Sequence, residues 1–99
     1  MFDHSDVRSN FPILSRQVNG KPLVYLDNGA SAQKPQVVID AISTAYSHEY
    51  ANVHRGLHYL SNLATDKYEN VRSIIARFLG VADERQIIMN SGTTEGINT

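Results

Sequence analysis

The chain has 99 residues, 41% of them hydrophobic, with nine basic and ten acidic side chains and a net charge of −1, the composition of one small domain rather than a disordered segment. The charges are mixed with no basic run, which argues against a nucleic-acid partner, and no apolar stretch approaches membrane-spanning length. Cysteine is absent, which removes disulfides, a thiolate nucleophile and a cysteine-based metal site, and Met1-Phe2-Asp3-His4-Ser5-Asp6 lacks the basic start and apolar core of a signal peptide, which favours the cytoplasm.

In chain order, Asp3 to Ser9 is expected to form one short helix. Phe11-Pro12-Ile13-Leu14 reads as an apolar anchor held out of helix by its proline. Asn19-Gly20-Lys21-Pro22 is a turn and Leu23-Val24-Tyr25-Leu26 a short strand. Asp27-Asn28-Gly29-Ala30-Ser31-Ala32 follows, a run of small residues that leaves backbone open to whatever approaches it. Pro35 suits a first helical position, and Val38, Ala41, Ile42, Ala45 and Tyr46 recur at helical spacing, which predicts a helix from about Pro35 to Tyr50. Ala51 to Tyr59 is irregular and contains His54, Arg55, Gly56 and His58. Ser61 is placed to cap a second helix with the stripe Ala64, Tyr68, Val71, Ile75, Phe78 and Leu79, and Gly80 stands where such a helix ends. Asp83 to Arg85 turns the chain into a second strand, Gln86 to Met89. Ser91-Gly92-Thr93-Thr94-Glu95-Gly96-Ile97-Asn98-Thr99 then breaks the apolar run and opens another helix.

Strands separated by helical segments predict an α/β layout with parallel pairing. Two short strands do not make a stable sheet alone, and both long helices carry apolar faces that need cover. The chain therefore reads as a piece of a larger domain, expected to fold poorly by itself or to associate through those faces. There are no repeats or low-complexity tracts.

Three segments carry candidate chemistry. Ser91-Gly92-Thr93-Thr94 brings small residues, hydroxyls and a helix start together, which suits phosphate oxygens; the alternative is that Thr93 merely caps a helix after a glycine turn. The lysine and spacing of a P-loop are missing, as is the glycine pattern of a dinucleotide fingerprint, since only Gly92 and Gly96 are present. Asn28-Gly29-Ala30-Ser31 offers bare N–H groups to a carboxylate, or is simply a tight turn between strand and helix. In His54-Arg55-Gly56-Leu57-His58, Arg55 is able to hold a carboxylate or phosphate in its fork, while a solvated loop with chance histidines fits the same pattern. Gly56 weakens any helix that would set His54 and His58 around a metal, and no third ligand is evident, so no metal site is expected. None of Lys21, Lys34 and Lys67 has the apolar neighbourhood that lowers an amine pKa for covalent work.

Tyr25 to Pro35, Asn52 to His58 and Ser91 to Asn98, in this order and spacing, resemble the N-terminal part of cysteine desulfurases, most nearly the SUF-type enzymes of iron–sulfur cluster assembly. These belong to the class V aminotransferases, fold type I of the pyridoxal-phosphate enzymes. The resemblance covers nearly the whole chain and implies that only the beginning of a several-fold longer protein is in view. About residues 1–34 would be a small-domain strand and turn, and residues 35–99 helices, strand and the start of the phosphate-binding helix. It implies pyridoxal 5′-phosphate as cofactor, with Gly92, Thr93 and Thr94 at its phosphate: both threonine amides donate, as does the Thr94 hydroxyl. Gly29, Ala30 and Ser31 would approach the substrate carboxylate. Many relatives have Ala-Ala at the Gly29-Ala30 position, and glycine allows the same approach. His54 and Arg55 would lie near the active-site entrance and a dimer interface, with Glu95 near that interface.

The implied activity of the complete enzyme is conversion of L-cysteine to L-alanine and an enzyme persulfide, passed to a sulfur-acceptor protein, in a cytoplasmic homodimer. The cofactor-bearing lysine, the residue stacking on the pyridine ring with its aspartate partner, the carboxylate-clamping arginine and the nucleophilic cysteine lie further on in the family. These 99 residues alone are thus expected to be inactive. Selenocysteine lyase or another class V aminotransferase is the alternative on the same fold, and a truncated, non-catalytic binding fragment is the alternative from a different class.

Overall fold

Asp3 begins the first helix, α1 (His4–Ser9), as its N-cap: Oδ1 accepts from the Ser5 N–H at 2.9 Å and from the Ser5 hydroxyl at 2.6 Å. The Ser5 hydroxyl first, then its amide, hold the Asp3 carboxyl below the usual carboxylate range. The structure is a computed structural model describing residues 1–54 and 56–99, in two compact units, Met1–His48 and Glu49–Thr99.

In the first unit, Arg8 Nη2 donates to the carbonyls of Leu14 at 3.1 Å and Leu23 at 2.8 Å, tying α1 to the segments after it. Pro12 does not keep its segment out of helix. It opens a 3₁₀ turn, Pro12–Ser15, where a missing N–H is of no consequence. The turn expected over residues 19–22 is tighter than the sequence suggests. Only Asn19 and Gly20 turn, at φ 52° and 73°, so β1 (Gln17–Val18) pairs antiparallel with β2 (Lys21–Pro22) in the register Gln17↔Pro22, Val18↔Lys21. Two consecutive positive φ values suit the twist of a hairpin, and Asn-Gly tolerates them.

The two expected strands are corrected by the structure. Leu23 to Leu26 joins no ladder among the described residues, nor does Gln86 to Met89, whose first residue belongs to the 3₁₀ turn Glu84–Gln86. The described residues are mostly helical with one two-stranded antiparallel sheet, not a parallel α/β layer. A strand exists as such only when a neighbour takes its backbone groups, and these segments find none here.

The helix expected from Pro35 to Tyr50 is α2 (Gln36–Thr44) continued by one π turn, Ala45–Glu49. Pro35 stands one residue outside, as N-cap, and the Gln36 N–H donates to the Asn10 carbonyl at 2.7 Å, which anchors the start of α2 to the end of α1.

The second unit is built on α3 (Tyr59–Leu79). Its N-cap is His58, not Ser61: His58 Nδ1 accepts the Ser61 N–H at 3.3 Å. Gly80 ends it at φ 69°, and the Val81 N–H reaches back to the Ala76 carbonyl at 2.8 Å, closing the left-handed cap the sequence predicts. The buried residues, Ser61, Thr65 and Ala76, share one face of α3. The apolar stripe that the sequence reads as needing cover lies beside that face and is partly bare: Tyr68 is 49% exposed, Val71 41% and Phe78 87%. Burial follows cover, and the described cover comes from Asn52, His54 and Gly56, whose backbone is bonded to the Ser61 hydroxyl, and from the Glu84–Gln86 turn, to whose Glu84 the Ser73 hydroxyl donates. No helix is long and apolar enough to cross a membrane among the described residues.

Candidate functional site

The final helix, α4 (Thr93–Asn98), starts where the sequence places it. Its N-cap position is Gly92, with no capping side chain, so the reading in which Thr93 caps the helix is corrected. Gly92 lies at φ 130° and ψ 176°, a conformation essentially confined to glycine.

Around this turn the backbone donors divide into two pairs. The Ser91 N–H donates to Glu95 Oε2 at 2.6 Å and the Gly92 N–H to Asn90 Oδ1 at 2.9 Å. The amides of Thr93 and Thr94, the first two of the helix, have no acceptor among the described residues. Ser91 to Thr99 are all exposed. The donor set fits a phosphate: two adjacent free amides, the threonine hydroxyls, and a carboxylate occupied at Ser91 rather than at either threonine. Asn90 went unnoticed in the sequence, although Asn two residues before a glycine turn is a known signal for a side-chain-to-backbone bond.

In the first unit, Gly29, Ala30 and Ser31 form a turn in which the Ala30 and Ser31 amides both donate to the Asp27 carbonyl, at 3.1 and 3.0 Å. The donors left for a ligand are the Gly29 N–H and the Ser31 hydroxyl. Tyr25 closes the same turn by donating its hydroxyl to the Ser31 carbonyl at 2.7 Å, and Asn28 Oδ1 accepts the Gln33 N–H at 3.0 Å. Tyr25 is half-buried, and its tethering of this turn is visible only in three dimensions.

His54 is exposed, and its N–H donates to the Asn52 carbonyl at 2.9 Å. Arg55 lies outside the described residues. His58 is taken up as the α3 cap. Lys34 Nζ donates to the Ala32 carbonyl, and Lys67 pairs with Glu49, so both amines have structural partners. No cluster of metal-ligating side chains occurs among the described residues.

A family model described as aminotransferase class-V matches residues 24–99. The chain is 55% identical over 97 residues to a cysteine desulfurase of Salmonella newport (strain SL254), covering 98% of this chain and 24% of that protein. It is 53% identical over 98 residues to a probable cysteine desulfurase 1 of Mycobacterium leprae (strain TN), covering 99% and 16%. With a probable cysteine desulfurase of Mycolicibacterium paratuberculosis (strain ATCC BAA-968 / K-10) it shares 51% over 98 residues, covering 99% and 14%. The chain thus spans a quarter or less of the length of these curated relatives.

Proposed function

The chain belongs to the aminotransferase class-V family, and from that premise we propose that it is the amino-terminal segment of a pyridoxal-5′-phosphate-dependent cysteine desulfurase of the SUF type. The complete enzyme converts L-cysteine to L-alanine and an enzyme persulfide and hands the sulfur to an acceptor protein of iron–sulfur assembly, as a cytoplasmic homodimer. The observation that carries this reading is the start of α4, where neighbouring side chains take the Ser91 and Gly92 amides and leave those of Thr93 and Thr94 for an anion. The 51–55% identity to the three named relatives favours the desulfurase branch of the family.

When bound, the cofactor supplies an electron sink for bond cleavage next to the substrate amine. This chain's residues bind and orient. Gly92 sets the direction of the backbone, and the Thr93 and Thr94 amides with the Thr94 hydroxyl hold phosphate oxygens in the positive field of a helix start. The Gly29 N–H and the Ser31 hydroxyl face the substrate carboxylate, with Ala30 as an apolar wall. His54 and Arg55 serve the substrate at the site entrance, near the dimer interface, while the arginine that clamps the carboxylate lies further on in the family. Sulfur transfer needs a thiolate, and these 99 residues contain none. Residues 1–34 contribute to the small domain, and residues 35–99 lead into the cofactor-binding helix.

The test is made on the complete protein, supplied with pyridoxal phosphate and cysteine. Yellow absorbance and release of alanine equimolar with sulfide under reductant are expected. Cofactor binding with alanine formed only from selenocysteine would replace the reading by selenocysteine lyase, and failure to bind the cofactor would sink both.

A further inference from the structure

The small-residue turn after Leu26 spends two of its amides on itself. Those of Ala30 and Ser31 both donate to the Asp27 carbonyl, which leaves the Gly29 N–H and the Ser31 hydroxyl as its donors for a ligand. The Ser31 carbonyl is taken by a side chain from before the turn: the Tyr25 hydroxyl donates to it at 2.7 Å, with the Asp27 carbonyl a longer second acceptor at 3.4 Å. Ser31 is thereby held on both sides, its N–H by Asp27 and its carbonyl by Tyr25. With both flanking peptide planes set, the direction in which its side chain leaves the backbone is set as well.

The anchor is itself anchored. Arg8 of α1 donates to the Leu23 carbonyl at 2.8 Å, two residues before Tyr25. The half-buried Tyr25 ring lines a cavity of about 520 Å³ with Val7, Phe11 and Leu14 of the amino-terminal segment and with Asn28 and Ala32 of the turn. Its side chain has only two rotatable bonds to the ring and the hydroxyl-bearing carbon, so it holds a distant carbonyl at little cost in entropy. Asn28 closes the far end of the same stretch through the Gln33 N–H. Loss of the Tyr25 hydroxyl therefore loosens Ser31 without releasing the whole turn.

We propose that Tyr25 is a positioning residue for recognition of the substrate carboxylate: its hydroxyl fixes the Ser31 carbonyl so that the Ser31 hydroxyl and the Gly29 N–H meet that group together. This rests on the reading of Gly29, Ala30 and Ser31 as substrate-binding residues. Tyr25 touches neither substrate nor cofactor and acts through the turn.

The experiment uses the complete, cofactor-loaded enzyme and Tyr25→Phe, which keeps the ring and removes only the hydroxyl. The probes are L-alanine and ethylamine, the same amine without its carboxylate, each titrated by the change in cofactor absorbance. The dissociation constant of L-alanine is expected to rise about three- to tenfold, the scale of one hydrogen bond, while that of ethylamine stays within about twofold. The KM for cysteine should rise by the same factor as L-alanine binding weakens, with kcat within about twofold. Hydrogen exchange at the Ala30 and Ser31 amides should speed up while amides of α3 keep their rates. Ser31→Ala and Gly29→Val test the site itself. A Cβ at Gly29 meets no atom within 4 Å, so the turn accommodates a side chain there that crowds the approach of a ligand. If these two weaken L-alanine and Tyr25→Phe does not, the positioning role is wrong and the site reading stands. If both leave L-alanine binding unchanged, the site reading is wrong and the positioning role falls with it. A Tyr25→Phe enzyme that loses L-alanine and ethylamine alike, with a lower melting temperature, reduces Tyr25 to a packing residue and overturns the proposal.

Discussion

Gly92→Ala tests the phosphate cradle with the least ambiguity. Gly92 sits at φ 130° and ψ 176°, and a Cβ added there meets no atom within 4 Å. The substitution therefore introduces no clash, and its whole effect is torsional. Holding an alanine in this region costs about 1–3 kcal/mol. The backbone relieves that strain by rotating φ toward negative values, which swings the Thr93 and Thr94 amides away from their common direction. Taken from cofactor binding, the same free energy weakens the dissociation constant roughly 5- to 140-fold, at 1.4 kcal/mol per decade. Gly80→Ala is the control: its φ is 69°, it also has open space around it, and it ends α3 without a part in the cradle. That change should cost about 1–2 kcal/mol of stability and leave cofactor affinity alone. The assay is absorbance titration of the complete apo protein with pyridoxal phosphate, with melting temperature recorded for both variants. If Gly92→Ala lowers the melting temperature as Gly80→Ala does and leaves the dissociation constant unchanged, the amides opening α4 do not hold the phosphate.

Thr94→Ala should weaken the cofactor about tenfold or more, the scale of one hydrogen bond to a charged group, and Thr94→Ser should restore it, as read in the same titration. Thr93→Ala, which keeps the amide, should change affinity little. Asp3 is held below the usual carboxylate range by Ser5, and Asp83 by the Arg85 side chain first and then its amide. Folded carboxyls with depressed pKa values stabilise the fold above the unfolded value of 3.8 and lose that contribution as pH falls through the lower folded values. An Asp3→Asn, Asp83→Asn double variant should therefore be less stable than the parent at neutral pH and converge with it in acid, read by circular dichroism. The 99-residue polypeptide by itself should release neither alanine nor sulfide from cysteine, and either product would refute this. It should also self-associate through its bare apolar surface, on which Phe78 is 87% and Ile97 79% exposed, and a sharp, concentration-independent unfolding of a monomer would contradict that.

The helices were legible because their signals are local. Asp3 caps α1, the 3.6-residue spacing marks α2 and α3, and Gly80 adopts the left-handed conformation that its place after the last apolar residue demands. Leu23 to Leu26 and Gln86 to Met89 have strand composition, but composition says nothing about where a partner comes from, and pairing is non-local. The Asn19-Gly20 hairpin was missed for a smaller reason: its strands are two residues each and carry no alternation to read. Ser61 was misassigned because serine is a common N-cap. The loop carbonyls of Asn52 and His54 compete for its hydroxyl, and His58, three residues earlier, supplies the acceptor instead.

The last motif shows why the residue types matter as a set. Gly96, in sequence only the second glycine of an incomplete fingerprint, has a definite task. A Cβ there would press to 3.0 Å on Asn90 Nδ2, so glycine lets the Asn90 side chain lie against α4 and take the Gly92 amide. Glu95, on the same turn, takes the Ser91 amide. Asn90, Glu95 and Gly96 together dispose of the two donors ahead of the helix, and Gly92 supplies the backbone direction that no other residue adopts without strain. What remains is a pair of adjacent amides with a threonine hydroxyl beside each. A carboxylate bonded to those amides would compete with a phosphate for them. Bonded instead to Ser91, Glu95 leaves them open, which is why a negatively charged residue in the first turn of α4 is compatible with an anion at its start.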